Sequence, residues 1–155
     1  MPEIVLTVDV AAPADQLWAA VTDWPGQGEW MLGTSVRGLA QQGRGVGGGI
    51  EAFTGLGRLG FLDTMTITRW DPPHRCEVEH HGRVVRGSAV FEVVPVDAEH
   101  TRFVWAEWLT PPFGVLGAIG FAVVRPLAVL GLRASLRRLA RWAPGHAVVP
   151  GEAAA

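Results

Sequence analysis

Two side chains in this sequence have the type and the setting for acid–base chemistry. Glu107 stands in "TRFVWAEWL", where strand alternation puts Phe103, Trp105, Glu107 and Leu109 on one face. A carboxylate held on an apolar inner face has a raised pKa and can serve as acid or base. His80 stands in "CEVEHHG" with the parity of Cys76 and Val78, and it is the candidate partner of Glu107. Cyclisation or dehydration of a folded substrate needs only a positioned acid and base. The plain alternative puts Glu107 at the rim of a sheet, paired with Arg86 or Arg102.

Other motifs carry less. "GLGRLG" (Gly55, Gly57, Gly60) and the run Gly43, Gly45, Gly48 both fit the dinucleotide spacing GxGxxG. That chemistry needs a helix after the glycines, so that its N–H groups meet a pyrophosphate. The segment that follows, "FLDTMTITRW", has strand character instead, so both runs read as hairpin turns. There is no phosphate loop, no HExxH and no GxSxG. His80 and His81 point to opposite faces of a strand and cannot easily share a metal ion. The lone Cys76 gives neither a disulfide nor a ligand pattern. The expectation is no metal and no cofactor.

The elements that must position these residues follow from the periodicity. A chain of 155 residues fits one domain with a real core. A net charge of −2 argues against nucleic acid. Lys, Asn and Tyr are absent, which fits a GC-rich, actinobacterial genome. The start "MPEIVLTVDV" alternates and has no basic leader, so a cytoplasmic protein is expected. "EIVLTVDV" reads as a strand. "AAPADQLWAAVTDWPGQGEWM" reads as two short helices broken at "DWPG". Six strands are predicted at about 34–41, 48–55, 60–70, 75–81, 84–94 and 101–110, joined by short hairpin turns and hence antiparallel. A long helix is predicted from about Phe113 to Trp142, in a domain of residues 1–143 with a flexible tail over 144–155.

The first half of that helix, "FGVLGAIGFAVVRPLAVLGL", is apolar all round. Eleven Phe, Ile, Leu and Val residues would contribute about −5 kcal/mol to membrane insertion, against about +3 for Arg125. Five glycines and prolines oppose insertion further (Gly114, Gly117, Gly120, Pro126, Gly131), so a span is marginal. A seven-stranded sheet also needs a cover. The segment is therefore expected to turn inward, kinked at Pro126, and to leave a hollow against a curved sheet. Solid packing of the segment with no void, or its projection away from the body, would end the case for a carrier. Val129, Leu132, Leu136, Leu139 and Trp142 form a stripe opposite Arg133, Arg137 and Arg141. Those arginines, with Arg138, read either as a solvated face or as a contact for an acidic surface such as anionic lipid.

The order strand, two short helices, six strands, long helix resembles the START/Bet v 1-like (SRPBCC) superfamily, in particular bacterial proteins of the polyketide cyclase/dehydrase and lipid transport type. The residues that carry the resemblance are "VDVAAPADQLWAAVTDWPGQGEWM", "TITRWDPPHRCEVE", "TRFVWAEWL" and "PPFGVLG…LRASLRRLARW". It implies an α+β helix-grip fold, in which a curved antiparallel sheet wraps the C-terminal helix around a hydrophobic cavity. Alternation nominates Met65, Ile67, Val78, Val85, Ala89, Phe91, Phe103 and Trp105 as inward residues. Trp24 and Trp30 are placed at the mouth or against the sheet, and Ile119, Val123 and Leu127 come from the helix. Three readings stand. The first is a carrier of a hydrophobic small molecule or lipid, the second a cyclase or dehydratase using Glu107 and His80. The third is a toxin-like or membrane-peripheral protein, which predicts little cavity and a large exposed patch around 113–124. Either a monomer or a homodimer paired through the apolar half-helix fits.

Overall fold

The structure, a computed structural model, describes residues 3–146. Strand β1 (Glu3–Val10) leads into helix α1 (Ala14–Thr22) and a 3-10 turn at Pro25–Glu29. The strands β2 (Thr34–Gly38), β3 (Gly49–Leu56), β4 (Leu59–Asp71), β5 (Arg75–His81), β6 (Arg86–Pro95) and β7 (Thr101–Leu109) follow, and then helix α2 (Gly114–Trp142). The second expected helix is thus a single 3-10 turn, because Pro25, Gly26 and Gly28 give an α-helix nothing to propagate on. The seven strands form one curved sheet in the order β1-β7-β6-β5-β4-β3-β2, every pair antiparallel. "GLGRLG" is the β3–β4 hairpin: Leu56 pairs with Leu59, and Gly57 takes the positive φ of 60° that a tight hairpin needs.

One end of the concave face is solidly filled. A register shift in the β4–β5 ladder between Ile67 and Arg69 changes the parity of β4, so both Ile67 and Trp70 pack against the core. Trp18 of α1 meets Trp70 edge-on at 5.1 Å, and Trp30 meets Trp105 at 6.4 Å. Leu136 and Leu139 of α2 complete this end against Val10, Leu17 and Phe103. The joint is also hydrogen-bonded: Ser135 Oγ accepts from the Leu32 N–H at 3.0 Å, and Arg138 donates to the Glu29 carbonyl at 3.0 Å. Of the expected tail, Pro144 and Gly145 join Ala143 in another 3-10 turn, and the Gln16 amide donates to the carbonyls of Ala143, Pro144 and His146. The remainder, 147–155, lies outside the described residues.

The sheet grips only the second half of α2, which corrects the expectation for this helix. Among its residues only Ser135, Leu136 and Leu139 are fully buried. The apolar first half stands off the body: Phe113, Val115, Leu116, Ile119, Val123, Val124, Leu127 and Leu130 are between 58 and 86 % exposed. The physical reason is that the cover is already supplied. Trp18, Trp24 and Trp30 on α1 and the adjoining turn, with Leu136 and Leu139, occupy the concave face that the apolar segment was expected to fill. In its middle the segment touches the body through Arg125, which donates to the Glu3 carbonyl at 2.8 Å.

This division of α2 has a measurable consequence. Leu139→Ala should lower the free energy of denaturant unfolding by about 2–5 kcal/mol, as expected for a cavity in a packed core. Val123→Ala should change it by less than about 0.5 kcal/mol. Equal losses from the two substitutions would put Val123 in the core.

Candidate functional site

The other end of the concave face is not filled. Strand parity brings Thr34 and Val36 of β2, Ile50, Ala52 and Thr54 of β3, Asp63 and Met65 of β4, and Val78 and His80 of β5 to one surface. Ala89 and Phe91 of β6 continue it, as do Trp105, Glu107 and Leu109 of β7. With Trp24, Gln27 and Met31 opposite, they enclose a cavity of about 240 Å³. Helix α2 adds only Ala128. The apolar half-helix projects from the body, which ends the case for a carrier walled by that helix, and yet a hollow exists without it. Its walls are sheet and tryptophan.

Most of the wall is hydrocarbon, and three ionisable side chains interrupt it: Asp63 on β4, His80 on the neighbouring β5, and Glu107 on β7, across the intervening β6. His80 and its expected partner Glu107 share the wall without a hydrogen bond between them. His80 lies opposite Met65 on β4, and Glu107 opposite Ala89 on β6. His80 Nδ1 donates to Asp63 Oδ2 at 2.7 Å, and both side chains are buried. A carboxylate at Nδ1 fixes the ring orientation and leaves Nε2 as the working nitrogen. Among the described residues, His80 Nε2, Asp63 Oδ1 and Trp105 Nε1 have no hydrogen-bond partner, nor does Trp30 Nε1. A buried polar atom without a partner costs about 1–3 kcal/mol, so such a cluster is a standing demand for a polar guest.

Burial pushes the Glu107 carboxyl above the ordinary carboxylate range. The His80 ring opposes the rise by its charge, and so does the Trp105 indole beside it, although that N–H does not reach full hydrogen-bonding geometry. The Asp63 carboxylate adds to the rise. Neither arginine considered as a rim partner is engaged with Glu107: Arg102 pairs with Asp9 at 2.8 Å, and Arg86 donates to the Gly82 carbonyl. Cys76 is no nucleophile, since burial, reinforced by the Glu77 carboxylate, pushes its thiol up to about 12. Among the described residues no group of three His, Cys, Asp or Glu side chains is placed to hold a metal ion.

The residues singled out in the sequence divide into three groups. Met65, Val78, Val85, Ala89, Phe91 and Trp105 line the cavity together with Glu107 and His80. Trp30, Ile67 and Phe103 belong to the packed end, buried in the core and away from the cavity. Ile119, Val123 and Leu127 lie outside, because the half-helix that carries them stands off the sheet. Sequence reasoning missed Asp63, although the signal was present. It is two residues before Met65 and four before Ile67, so the same alternation that selected them selects it.

The sequence profile of the family described as polyketide cyclase/dehydrase and lipid transport matches residues 1–143. No curated protein sequence matches the chain. Several solved structures share the fold. The Zhui aromatase/cyclase from Streptomyces sp. R1128 is 21% identical, with a TM-score of 0.68 over 90% of this chain and 94% of that one. TTHA0849 from Thermus thermophilus is 17% identical, with a TM-score of 0.72 over 92% and 97%. The di-domain ARO/CYC BexL from the BE-7585A biosynthetic pathway is 20% identical, with a TM-score of 0.71 over 91% of this chain and 46% of that one. At these identities the likeness is one of fold.

The raised Glu107 carboxyl has a testable signature. Because its folded value lies above its unfolded one, the native state holds the proton more tightly. Stability therefore falls as pH rises from about 4.3, the ordinary glutamate value, toward the folded value. Glu107→Gln should raise the unfolding midpoint at neutral pH, and the gain should vanish as pH falls below the ordinary carboxylate range. A gain independent of pH would show that ionisation of Glu107 is not its source.

Proposed function

This chain belongs to the polyketide cyclase/dehydrase and lipid transport family, and we propose that it binds a hydrophobic small molecule with one polar group. The apolar body of the ligand lies against Val78, Ala89 and Phe91, and its polar group meets His80, Glu107 and Asp63. The observation that carries this reading is the pairing of a hydrocarbon-lined cavity with a buried Asp63–His80 pair whose outer atoms have no protein partner. Apolar pockets with a few convergent polar groups are the usual form of small-molecule sites. The ligand has both an oily part and a carbonyl, hydroxyl or carboxyl oxygen.

A second reading has its own support. The Asp63–His80 pair orients a ring nitrogen into the cavity, and a carboxyl that burial tends to keep protonated lies in the same wall. One base and one acid facing a confined ligand suffice for enolisation and loss of water, the steps of a cyclase or dehydratase. In this reading His80 Nε2 takes the proton α to a carbonyl, and Glu107 protonates the developing oxygen. The fold shared with aromatase/cyclases is in keeping with it.

Trp24 and Trp105 line the cavity, so ligand entry reads out in the protein's own fluorescence. A medium-chain fatty acid or a planar polycyclic phenol should quench it saturably. Ala89→Phe, which fills the centre of the cavity, should weaken the response at least tenfold while leaving the unfolding transition cooperative. A protein silent to both ligand classes would defeat the binding reading. For the catalytic reading, His80→Ala should abolish turnover of a poly-β-ketone substrate, and Glu107→Gln should reduce it by about 10²–10⁴. Unchanged turnover in both variants leaves a binder alone.

A further inference from the structure

We propose that the exposed first half of α2 is a docking surface for an anionic lipid membrane, lying in its interface without crossing it. The helix is long and apolar enough to cross a membrane, and none of its most apolar 18-residue window is buried in the fold. A monomeric soluble protein rarely leaves a contiguous apolar surface of this kind.

The pattern along the helix indicates the occupant. At 100° per residue, Val115, Ile119, Val123 and Leu130 fall on the same face as Arg133, Arg137 and Arg141. One exposed stripe thus runs from aliphatic to cationic along its length, opposite the buried Leu139. Five of the thirteen basic residues lie in α2, and no Asp or Glu occurs between Glu107 and Glu152, in a chain whose net charge is −2. An anionic bilayer answers both halves: acyl chains for the aliphatic stretch, headgroup phosphates for the guanidinium groups. Phe113, at the tip of the helix in the left-handed region with φ 62°, is 86 % exposed and leads the apolar end.

A second copy of the chain fits this stripe poorly. Parallel pairing of the two helices sets arginine against arginine, and antiparallel pairing sets arginine against bare aliphatic surface. A full span is also disfavoured. Arg125, in the middle of the apolar run, is bonded to the Glu3 carbonyl on β1, so burying that point at mid-bilayer would draw the sheet edge in with it. Interfacial insertion to about 5–10 Å leaves this contact at the water boundary.

The proposal does not depend on what the cavity holds. It is tested by flotation of the full chain with phosphatidylcholine vesicles, with and without phosphatidylglycerol, at low salt. Flotation with the anionic vesicles alone is expected. Val123→Glu with Leu127→Glu should abolish it, and Arg133→Gln, Arg137→Gln and Arg141→Gln together should weaken partition about a hundredfold. All five side chains are exposed, so the unfolding midpoint should hold in both variants and serves as the control for folding. No flotation with anionic vesicles would overturn the proposal. So would flotation indifferent to both variants, or a dimer that Val123→Glu dissociates in a protein that does not float. Flotation by a protein whose cavity ignores every ligand leaves the docking surface standing and removes only the binding function.

Discussion

The structure turns on one packing constraint: the concave face of the sheet is longer than the set of side chains that covers it. Trp18, Trp30, Trp70, Phe103, Leu136 and Leu139 close one end with aromatic and aliphatic volume. Protein interiors pack densely, and a fully covered face would leave no space larger than a water molecule. Past Phe91 toward Glu107, the inward residues of β6 are Ala89 and Gly87, which are small, and the opposing cover thins to Trp24, Gln27 and Met31. The cavity is therefore a property of small side chains on β6 beneath a thinning cover and is not produced by an unusual loop. Its position at one end of a rigid core means that its walls are held by the same contacts that hold the fold.

The polar cluster follows from that position. Asp63, His80 and Glu107 sit at the end where the cover thins; burial raises the Glu107 carboxyl, and Asp63 and His80 each keep one polar atom without a protein partner. In a filled core such groups would be a defect costing about 1–3 kcal/mol apiece. The Asp63–His80 contact at 2.7 Å accounts for one atom on each side chain and leaves the outer atom of each unused. Conformational rigidity and unused hydrogen-bonding capacity together make a recognition site. The same two properties make an acid–base site when the guest carries an acidic C–H, which is why carrier and cyclase readings share every residue and part only at the chemistry of the ligand.

Strand parity made much of this legible in the sequence. All seven strands could be placed from alternation and turn residues, and alternation brought His80, Glu107, Trp105 and Ala89 to one face. Parity tells which face a residue takes, but not which end of the face is filled. For that reason Ile67 and Phe103 were grouped with Met65 and Trp105, although the first pair is core and the second lines the cavity. Asp63 is hidden in "FLDTMTITRW" because an acid among apolar residues reads as an outward one, although the period that turns Met65 and Ile67 inward includes it. The first half of α2 failed for a different reason. Its composition shows that it must leave water but not where it goes, and the inward solution was chosen because the sheet needed a cover. The three tryptophans between residues 18 and 30 already carried the volume for that cover.

Helix α2 is thus two elements in one covalent rod. From Leu132 onward it is a structural strut, gripped through Ser135, Leu136 and Leu139; before that it is an exposed apolar arm whose one place in the cavity wall is Ala128. Such an arm is unfavourable in water, and the unfavourable surface is relieved wherever it finds hydrocarbon. At 100° per residue Ala128 lies on the side of α2 opposite the aliphatic stripe, so the helix borders the cavity with one face and leaves the other to any hydrocarbon it meets. The arm that looks superfluous to the fold and the end of the sheet left unfilled are, on this geometry, two sides of one boundary.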